Sequence, residues 1–600
     1  MRLDISKKYI LFAVDKNCEE RKLHFYIDDN KFMEFDIRLA EGEAKYYFPM
    51  DVSNYFGRVI DIRVGCGNSE SITCGDGEET AEKVDIESDA DEKVLKASVG
   101  LSDEKPRLDY KYRPRLHFTA EMGWINDPNG LIYKDGLFHM YYQWNPYGID
   151  WGNMHWGHAV SKNLIDWERL DTALTPDDYG TVYSGCAFSD EKNAAGFGAG
   201  SIIYFYTASG GRNEWSASKG RKHVQRIAVS NDNGYTLRKK CTVVEHIADE
   251  NRDPKVFWHE ESKAYIMILY LEGNDFVILR SDDLIHWKES CKFTADKMWE
   301  CPDLFKLKVE GSDETKWVFW SADGYYMIGE FDGYTFKKES NVLFAYGSKL
   351  GYAAQTFAGI DDRCISVAWL RTENDKGGFR GMMAIPMEMS LKRAEKGYRI
   401  NIKPVRELWD RFKTVREFKI IERSEGFEKF EKLENFERFD RFEENERLEI
   451  FDRFEEKLND KPVAIVVDWN DKPQELAENT EDVDGTRIGM DENYCNMRDT
   501  TDMRDTTDMR DTTDSKRDSI DECCSKIKNS GTVTTKKIRI GDIDLDVIES
   551  DHKTVIIIDN GIITYISNDG ERYTEIEAPE DILSKNLSIE GMEGIIRIYE

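Results

Sequence analysis

The seven residues Ser161-Lys162-Asn163-Leu164-Ile165-Asp166-Trp167 return almost unchanged as Ser281-Asp282-Asp283-Leu284-Ile285-His286-Trp287. Weaker echoes stand at Ser230-Asn231-Asp232-Asn233-Gly234 and Phe331-Asp332-Gly333-Tyr334-Thr335-Phe336. Such segments recur at roughly 50 to 70 residues, each after short β-type runs such as 201–207 and 265–271. That is the signature of propeller blades, four-stranded units that bury their faces only against one another. The interval 107–403 predicts about five of them.

A chain of 600 residues exceeds what one hydrophobic core can serve, so further domains flank this interval. Residues 1–106 alternate as strands do, for example over 23–27 and 58–64, with Asp28-Asp29-Asn30 as a turn, and predict a small β-sandwich-like domain. The acidic stretch 78–91 is expected to be a solvated loop. Beyond 404, apolar residues at Phe427, Phe430, Leu433, Phe436, Phe439 and Phe442 recur every third position, which predicts an irregular amphipathic helix. Between 497 and 514 the hexapeptide Met-Arg-Asp-Thr-Thr-Asp stands three times in tandem. This tract has too little apolar content to fold, and it lacks the Gly and the terminal Glu of a calcium loop, so it is expected to be a linker. The apolar run 555–558 and the turn Asp559-Asn560-Gly561 restore the strand pattern. The expectation is therefore all-β: a five-bladed propeller at 107–403 after the N-terminal β-domain. A C-terminal β-sandwich follows over 404–600, interrupted by a low-complexity insertion at about 424–530.

Composition narrows the function. With 83 basic and 116 acidic residues the net charge is −33, which repels nucleic acid and anionic membrane surfaces. Aromatic content of 12% with 14 Trp suits flat apolar ligands such as sugar rings. Eleven Cys at irregular spacing argue for reduced thiols, and no run approaches the roughly 20 apolar residues of a membrane span. The apolar run 9–14 is too short for a secretory core, so a cytoplasmic enzyme is expected, unless a start placed too far downstream hides a signal peptide.

Hydrolysis of a glycosidic bond needs two carboxyl groups across the anomeric carbon. Three acids stand out from the rest because aromatic, Gly and Pro residues surround them inside β-type text: Asp127 in Trp124-Ile125-Asn126-Asp127-Pro128-Asn129-Gly130, Asp253 in Asn251-Arg252-Asp253-Pro254, and Glu300 in Met298-Trp299-Glu300-Cys301-Pro302-Asp303. A following Pro biases each toward the extended or turn geometry of a strand end. Taken singly each is an ordinary turn acid; on three different predicted blades they form a constellation.

With these motifs, and with Trp151 to His158, Tyr352 to Phe357 and Gly381 to Pro386, the propeller resembles glycoside hydrolase family 32, the invertases, levanases and inulinases. The resemblance implies a retaining β-fructofuranosidase acting on sucrose, fructo-oligosaccharides or fructans. Asp127 is then the nucleophile, Glu300 the acid/base and Asp253 the transition-state stabiliser. An acid must keep its proton until the bond breaks, which burial beside Trp299 and two other carboxylates would favour. Asn126, Gln143, Trp151, Ser184, Arg252 and Trp369 would complete the fructose pocket, although Trp151 and Trp369 read equally well as blade core. One departure is Ser184-Gly185-Cys186, where the family has Ser-Gly-Ser. His155 and His158 suggest no metal site, since β-text puts such spacing on no shared face with a third ligand, and neither Cys523-Cys524 nor any Gly-rich loop points to a metal or cofactor; the chemistry needs none. A non-catalytic fructan-binding protein and a fructosyltransferase are the rival readings. Exo action of levanase or inulinase type on imported short oligosaccharides is the leaning. Chain-length and linkage preference and oligomeric state are not legible.

Overall fold

A computed structural model describes residues 1–65 and 89–412, apart from a few positions, and shorter pieces of 415–599. Five four-stranded antiparallel blades follow one another without interleaving. Blade I is built from Gly123–Lys134, Leu137–Asn145, His155–Ser161 and Trp167–Leu174, and blade II from Thr181–Asp190, Ser201–Ser209, Val224–Ser230 and Arg238–Val244. Blade III uses Arg252–His259, Ala264–Tyr270, Asp275–Ser281 and Lys288–Thr294; blade IV uses Asp303–Lys308, Thr315–Trp320, Tyr325–Phe331 and Phe336–Lys338. Blade V uses Gly351–Thr356, Cys364–Leu370, Met387–Arg393 and Tyr398–Pro404. The ring closes through short contacts between blades V and I. Phe379–Arg380 pairs in parallel with Gly123 and Trp124, and Ala358 bonds Leu131 and Tyr133. At that crossing Gly381, with φ of 79°, lies so close that a Cβ would meet Ile125 O at 2.3 Å.

The repeated segment turns out to be the turn between the third and fourth strands. Asn163 Oδ1 accepts from the amides of Ile165 and Asp166, Asp283 Oδ1 from Ile285 and His286, and Asp332 Oδ1 from Tyr334 and Thr335. The residue after each turn acid or amide takes positive φ: Leu164, Leu284 and Gly333, at 64°, 66° and 86°. A non-glycine residue pays about 1–2 kcal/mol for that backbone. Leu164 and Leu284 are fully buried, and burial of a Leu side chain contributes about 1.5–3 kcal/mol, so the strained turn survives.

The N-terminal part forms two sheets, ordered Arg2–Asp4, Val59–Val64, Arg21–Ile27, Asn30–Ile37 and Tyr46–Asp51, Tyr9–Val14, Val99–Ser102. Their shared core includes Ile10, Phe12, Phe25, Phe35 and Ile62, and Met122, Tyr147 and Ile149 of the propeller join it. Asp28 and Asp29, both at positive φ, make the predicted tight hairpin between Ile27 and Asn30. Of the acidic stretch expected as a loop, 78–88 lies outside the described residues. Asp89–Ser98 is an α-helix, and Asp89, Asp91 and Glu92 in its first turn suit the positive end of the helix dipole.

Toward the C-terminus a seven-stranded sheet includes Val415–Ile420, Gly594–Tyr599, Val463–Asp468, Lys553–Asp559, Ile562–Ser567 and Arg572–Glu577, and a four-stranded sheet includes Phe454–Lys457, Asn586–Glu590, Lys536–Ile540 and Ile543–Val547. One face of the larger sheet, with Ile465, Ile556 and Ile563, packs against Ile538 and Ile540 of the smaller. The other, with Val466, Ile557 and Ile562, packs on the propeller. Burial on both faces explains why 463–467 and 555–558 read as continuous apolar runs. The insertion expected at about 424–530 is corrected by this: Glu449–Phe451, Phe454–Lys457 and Val463–Asp468 lie inside that interval and belong to the sheets. The helix expected over 427–442, the hexapeptides at 497–514 and Cys523-Cys524 lie outside the described residues.

Candidate active site

One backbone device builds the site. In the innermost strands of four blades two residues oppose a single residue of the neighbouring strand. Asn126-Asp127 stand against Gln143, Tyr183-Ser184 against Thr207, Asp253-Pro254 against Leu269 and Ala353-Ala354 against Ala368. Such bulges re-aim side chains that regular pleating would bury between blades. Blade IV reaches the same end through Glu300 and Cys301, at φ of 42° and 44°, just before its first strand.

The bulges bring Asp127, Asp253 and Glu300 together. Ser184 Oγ donates to Asp127 Oδ2 at 2.5 Å, and Asn126 Nδ2 to Asp127 Oδ1 at 3.2 Å. The Cys301 thiol lies 3.5 Å from both Asp127 Oδ2 and Asp253 Oδ2, and the Cys301 amide donates to Asp253 Oδ2 at 3.0 Å. Asp253 N donates to Thr207 Oγ1 at 3.0 Å. Glu300 is held on both oxygens, by Arg252 Nη2 at 2.6 Å and by the Tyr352 hydroxyl at 2.5 Å, which itself accepts from Trp299 Nε1 at 3.0 Å.

Burial dominates the electrostatics. It pushes the Asp127 carboxyl up, opposed by the Ser184 hydrogen bond and reinforced by the charge of Glu300. Burial pushes Asp253 up to about 7 against the pull of Arg252, with Asp127 and Glu300 adding to the rise. Burial also keeps the Cys301 thiol protonated, with the three carboxylates acting in the same direction, so its sulfur serves as a donor between Asp127 and Asp253. For Arg252, burial disfavours the charge, yet Glu300 and Asp253 hold the guanidinium above its ordinary range.

The other expected pocket residues fall at different depths. Asn126 and Ser184 are buried beside Asp127, and Trp124 Nε1 donates to Asn126 Oδ1. Gln143 is buried, faces the blade I bulge and donates to Val182 O at 2.9 Å, holding the strand that carries Ser184. Trp369 packs edge-on against Trp124 and Tyr352. Trp151 is 48% exposed at the rim with its ring edge to Tyr183, which rules out blade core. Cys186, in place of the second Ser, is buried and accepts from Val256 N at 3.1 Å. Spacing alone did not single out Tyr352, Thr207 or Cys301 as site residues. Cys301 stands inside the motif around Glu300 and Tyr352 heads the segment Tyr352 to Phe357, so both had a signal, whereas nothing marks Thr207. His155 and His158 are buried among Tyr147 and Tyr141. Among the described residues His24, Glu34 and Glu214 bring three ligand atoms within 4.8 Å of one another, but the Lys31 ammonium already sits on Glu34 there.

The propeller thus brings three carboxylates together from separate blades. Residues 117–404 match the glycosyl hydrolases family 32 N-terminal domain, so the propeller is a domain of that family. It is 38% identical over 333 residues to a levanase of Bacillus subtilis (strain 168), covering 50% of this chain and 48% of that protein. It is 31% identical over 337 residues to an extracellular exo-inulinase of Aspergillus niger, covering 47% and 63%. The chain thus spans less than two thirds of the length of these relatives. The exo-inulinase of Aspergillus awamori shares the fold with a TM-score of 0.60 at 20% identity, over 82% of this chain and 99% of that one. A Schwanniomyces occidentalis fructofuranosidase does so at 0.57 and 20%, over 83% and 99%.

Proposed function

We propose that the chain is a retaining β-fructofuranosidase that removes terminal fructosyl units from sucrose, fructo-oligosaccharides or fructans. The observation that carries this reading is the convergence of Asp127 and Asp253 on the thiol of Cys301, with the preceding residue, Glu300, held by Arg252 and Tyr352. Asp127, its second oxygen fixed by Ser184, attacks the anomeric carbon while Glu300 gives a proton to the departing oxygen, forming a fructosyl ester. Glu300, now an acceptor on both oxygens, takes a proton from water, which cleaves the ester with net retention. Asp253 grips sugar hydroxyls as positive charge develops. The names of the relatives, levanase and exo-inulinase, support fructan ends as substrate.

Azide separates the two roles. With an activated fructoside, Glu300→Ala should still form the fructosyl-enzyme and yield the azide adduct with retained configuration, whereas Asp127→Ala should not; both should lose at least about three powers of ten on sucrose. Retained-configuration adduct from the Asp127 variant alone would exchange the assignments. Absence of any reducing sugar from sucrose, kestose, inulin and levan with the intact chain would leave only a binding role.

A further inference from the structure

On one side of Glu300, the Tyr352 and Trp299 contacts close the site. On the other, Arg252 leads outward: Nη1 donates to Glu250 Oε2 at 2.6 Å, and Glu250 Oε1 lies 3.7 Å from Arg212. Arg212 and Glu250 are 44% and 37% exposed in their side chains, and the exposed Trp151 ring meets Tyr183, next to Ser184. On the fructofuranosidase reading, the leaving sugar protonated by Glu300 crosses this rim. It is made of two loops, one of blade I around Trp151 and one of blade II around Arg212.

Three consecutive residues of the N-terminal domain grip both loops. They lie on Asn30–Ile37, the edge strand of its four-stranded sheet. Glu34 Oε1 accepts from Trp215 N at 2.8 Å, and its neighbour His24 reaches Glu214 Oε2 at 3.2 Å. Phe35 stacks on Tyr147 with centroids 3.6 Å apart. Asp36 donates its amide to Asn153 Oδ1 at 2.8 Å and accepts Asn153 Nδ2 on its carbonyl at 2.7 Å, so that an amide side chain pairs the exposed edge as a strand would. Tyr147 and Asn153 bracket Trp151. The same domain touches blade V's loop, where Lys16 meets Asp375 and a Cβ on Gly378 would lie 2.9 Å from the Tyr46 ring.

We propose that the N-terminal β-domain is the specificity element of the site: by clamping these loops it shapes the subsites for sugar units beyond the scissile bond. This rests on the fructofuranosidase reading. Glu34→Gln, Phe35→Leu and Asn153→Ala in the full chain test it, with fructosyl fluoride, sucrose, kestose and an inulin oligosaccharide as substrates. A loosened loop should raise KM for kestose and the oligosaccharide on the order of tenfold, the equivalent of one lost good contact, leaving kcat and all constants for fructosyl fluoride within about twofold. Equal losses on every substrate, or an unchanged dependence on chain length in the variants that fold, would overturn the proposal while the intact enzyme stays active. If the intact chain turned over none of the four, the functional reading would fall and the proposal with it. Three variants at separate contacts guard against one that does not fold.

Discussion

At the residue scale, the site holds buried carboxyl groups at an electrostatic cost. Asp253 titrates near 7 in the folded chain against about 4 when unfolded, so between these values the native state binds more protons and stability falls as pH rises. Asp253→Asn removes the buried charge. Its melting temperature should exceed that of the parent at pH 8, and the gap should close near pH 4, while turnover is lost; a melting difference that does not vary with pH would contradict the assignment. Tyr352→Phe leaves the packing but takes one donor from Glu300. Its kcat on sucrose should fall about ten- to a hundredfold, the range of a missing charge-assisted hydrogen bond, with KM changed far less. Steady-state kinetics on sucrose measure both.

At the scale of elements, the turn Asp559-Asn560-Gly561 does more than reverse a hairpin. Asp559, fully buried, accepts from the amides of Arg115, Leu116 and His117 and faces His117 Nδ1 at 3.0 Å, so the C-terminal sandwich holds the chain where it enters the propeller. Burial opposes the charge, but the His117 side chain and these amides win and keep the carboxyl below its usual range. Its contribution is therefore present above about pH 4 and lost as pH falls through the folded value, the opposite sense to Asp253. Asp559→Ala should cost about 3 kcal/mol or more, because it leaves three buried amides without their acceptor, seen as an earlier unfolding transition at pH 7 whose deficit shrinks toward pH 3. In the outer turns, Leu284→Ala leaves the strained backbone and empties its pocket, and should cost about 2–5 kcal/mol in chemical denaturation.

At the scale of the whole molecule, the propeller is held between two partners with different tasks. The C-terminal sheet adds Val466, Ile557, Ile562 and Tyr573 to the core of blades IV and V, while the N-terminal sheets share their core with the loop that carries Trp151. The hexapeptide tract joins strands of the two C-terminal sheets, Val463–Asp468 and Lys536–Ile540. Deleting 475–530 should leave turnover on sucrose within a few-fold, since shortening a connection changes closure entropy only logarithmically. A soluble deletion variant that binds substrate without turnover would count against that.

The number and order of blades, and the three carboxylates, were legible in the chain itself. Each carries a local signal: an Asn or Asp side chain bonding amides two and three residues on, or a carboxylate one or two residues before a Pro, as at Asp127, Asp253 and Glu300. The flanking β-domains were legible for the same reason, as alternation and turn dipeptides, although apolar runs buried on both faces, such as 463–467, hid where the C-terminal sandwich resumes. Only tertiary structure could decide that Tyr352 would meet Glu300, that Thr207 would hold the Asp253 amide, that Trp151 would stand at the rim while Trp369 is buried, and that Glu34, Phe35 and Asp36 would grip two loops of the propeller. These partners come from different strands or domains and are brought together by the closure of the ring and the docking of an edge strand, which leave no period or spacing in the sequence.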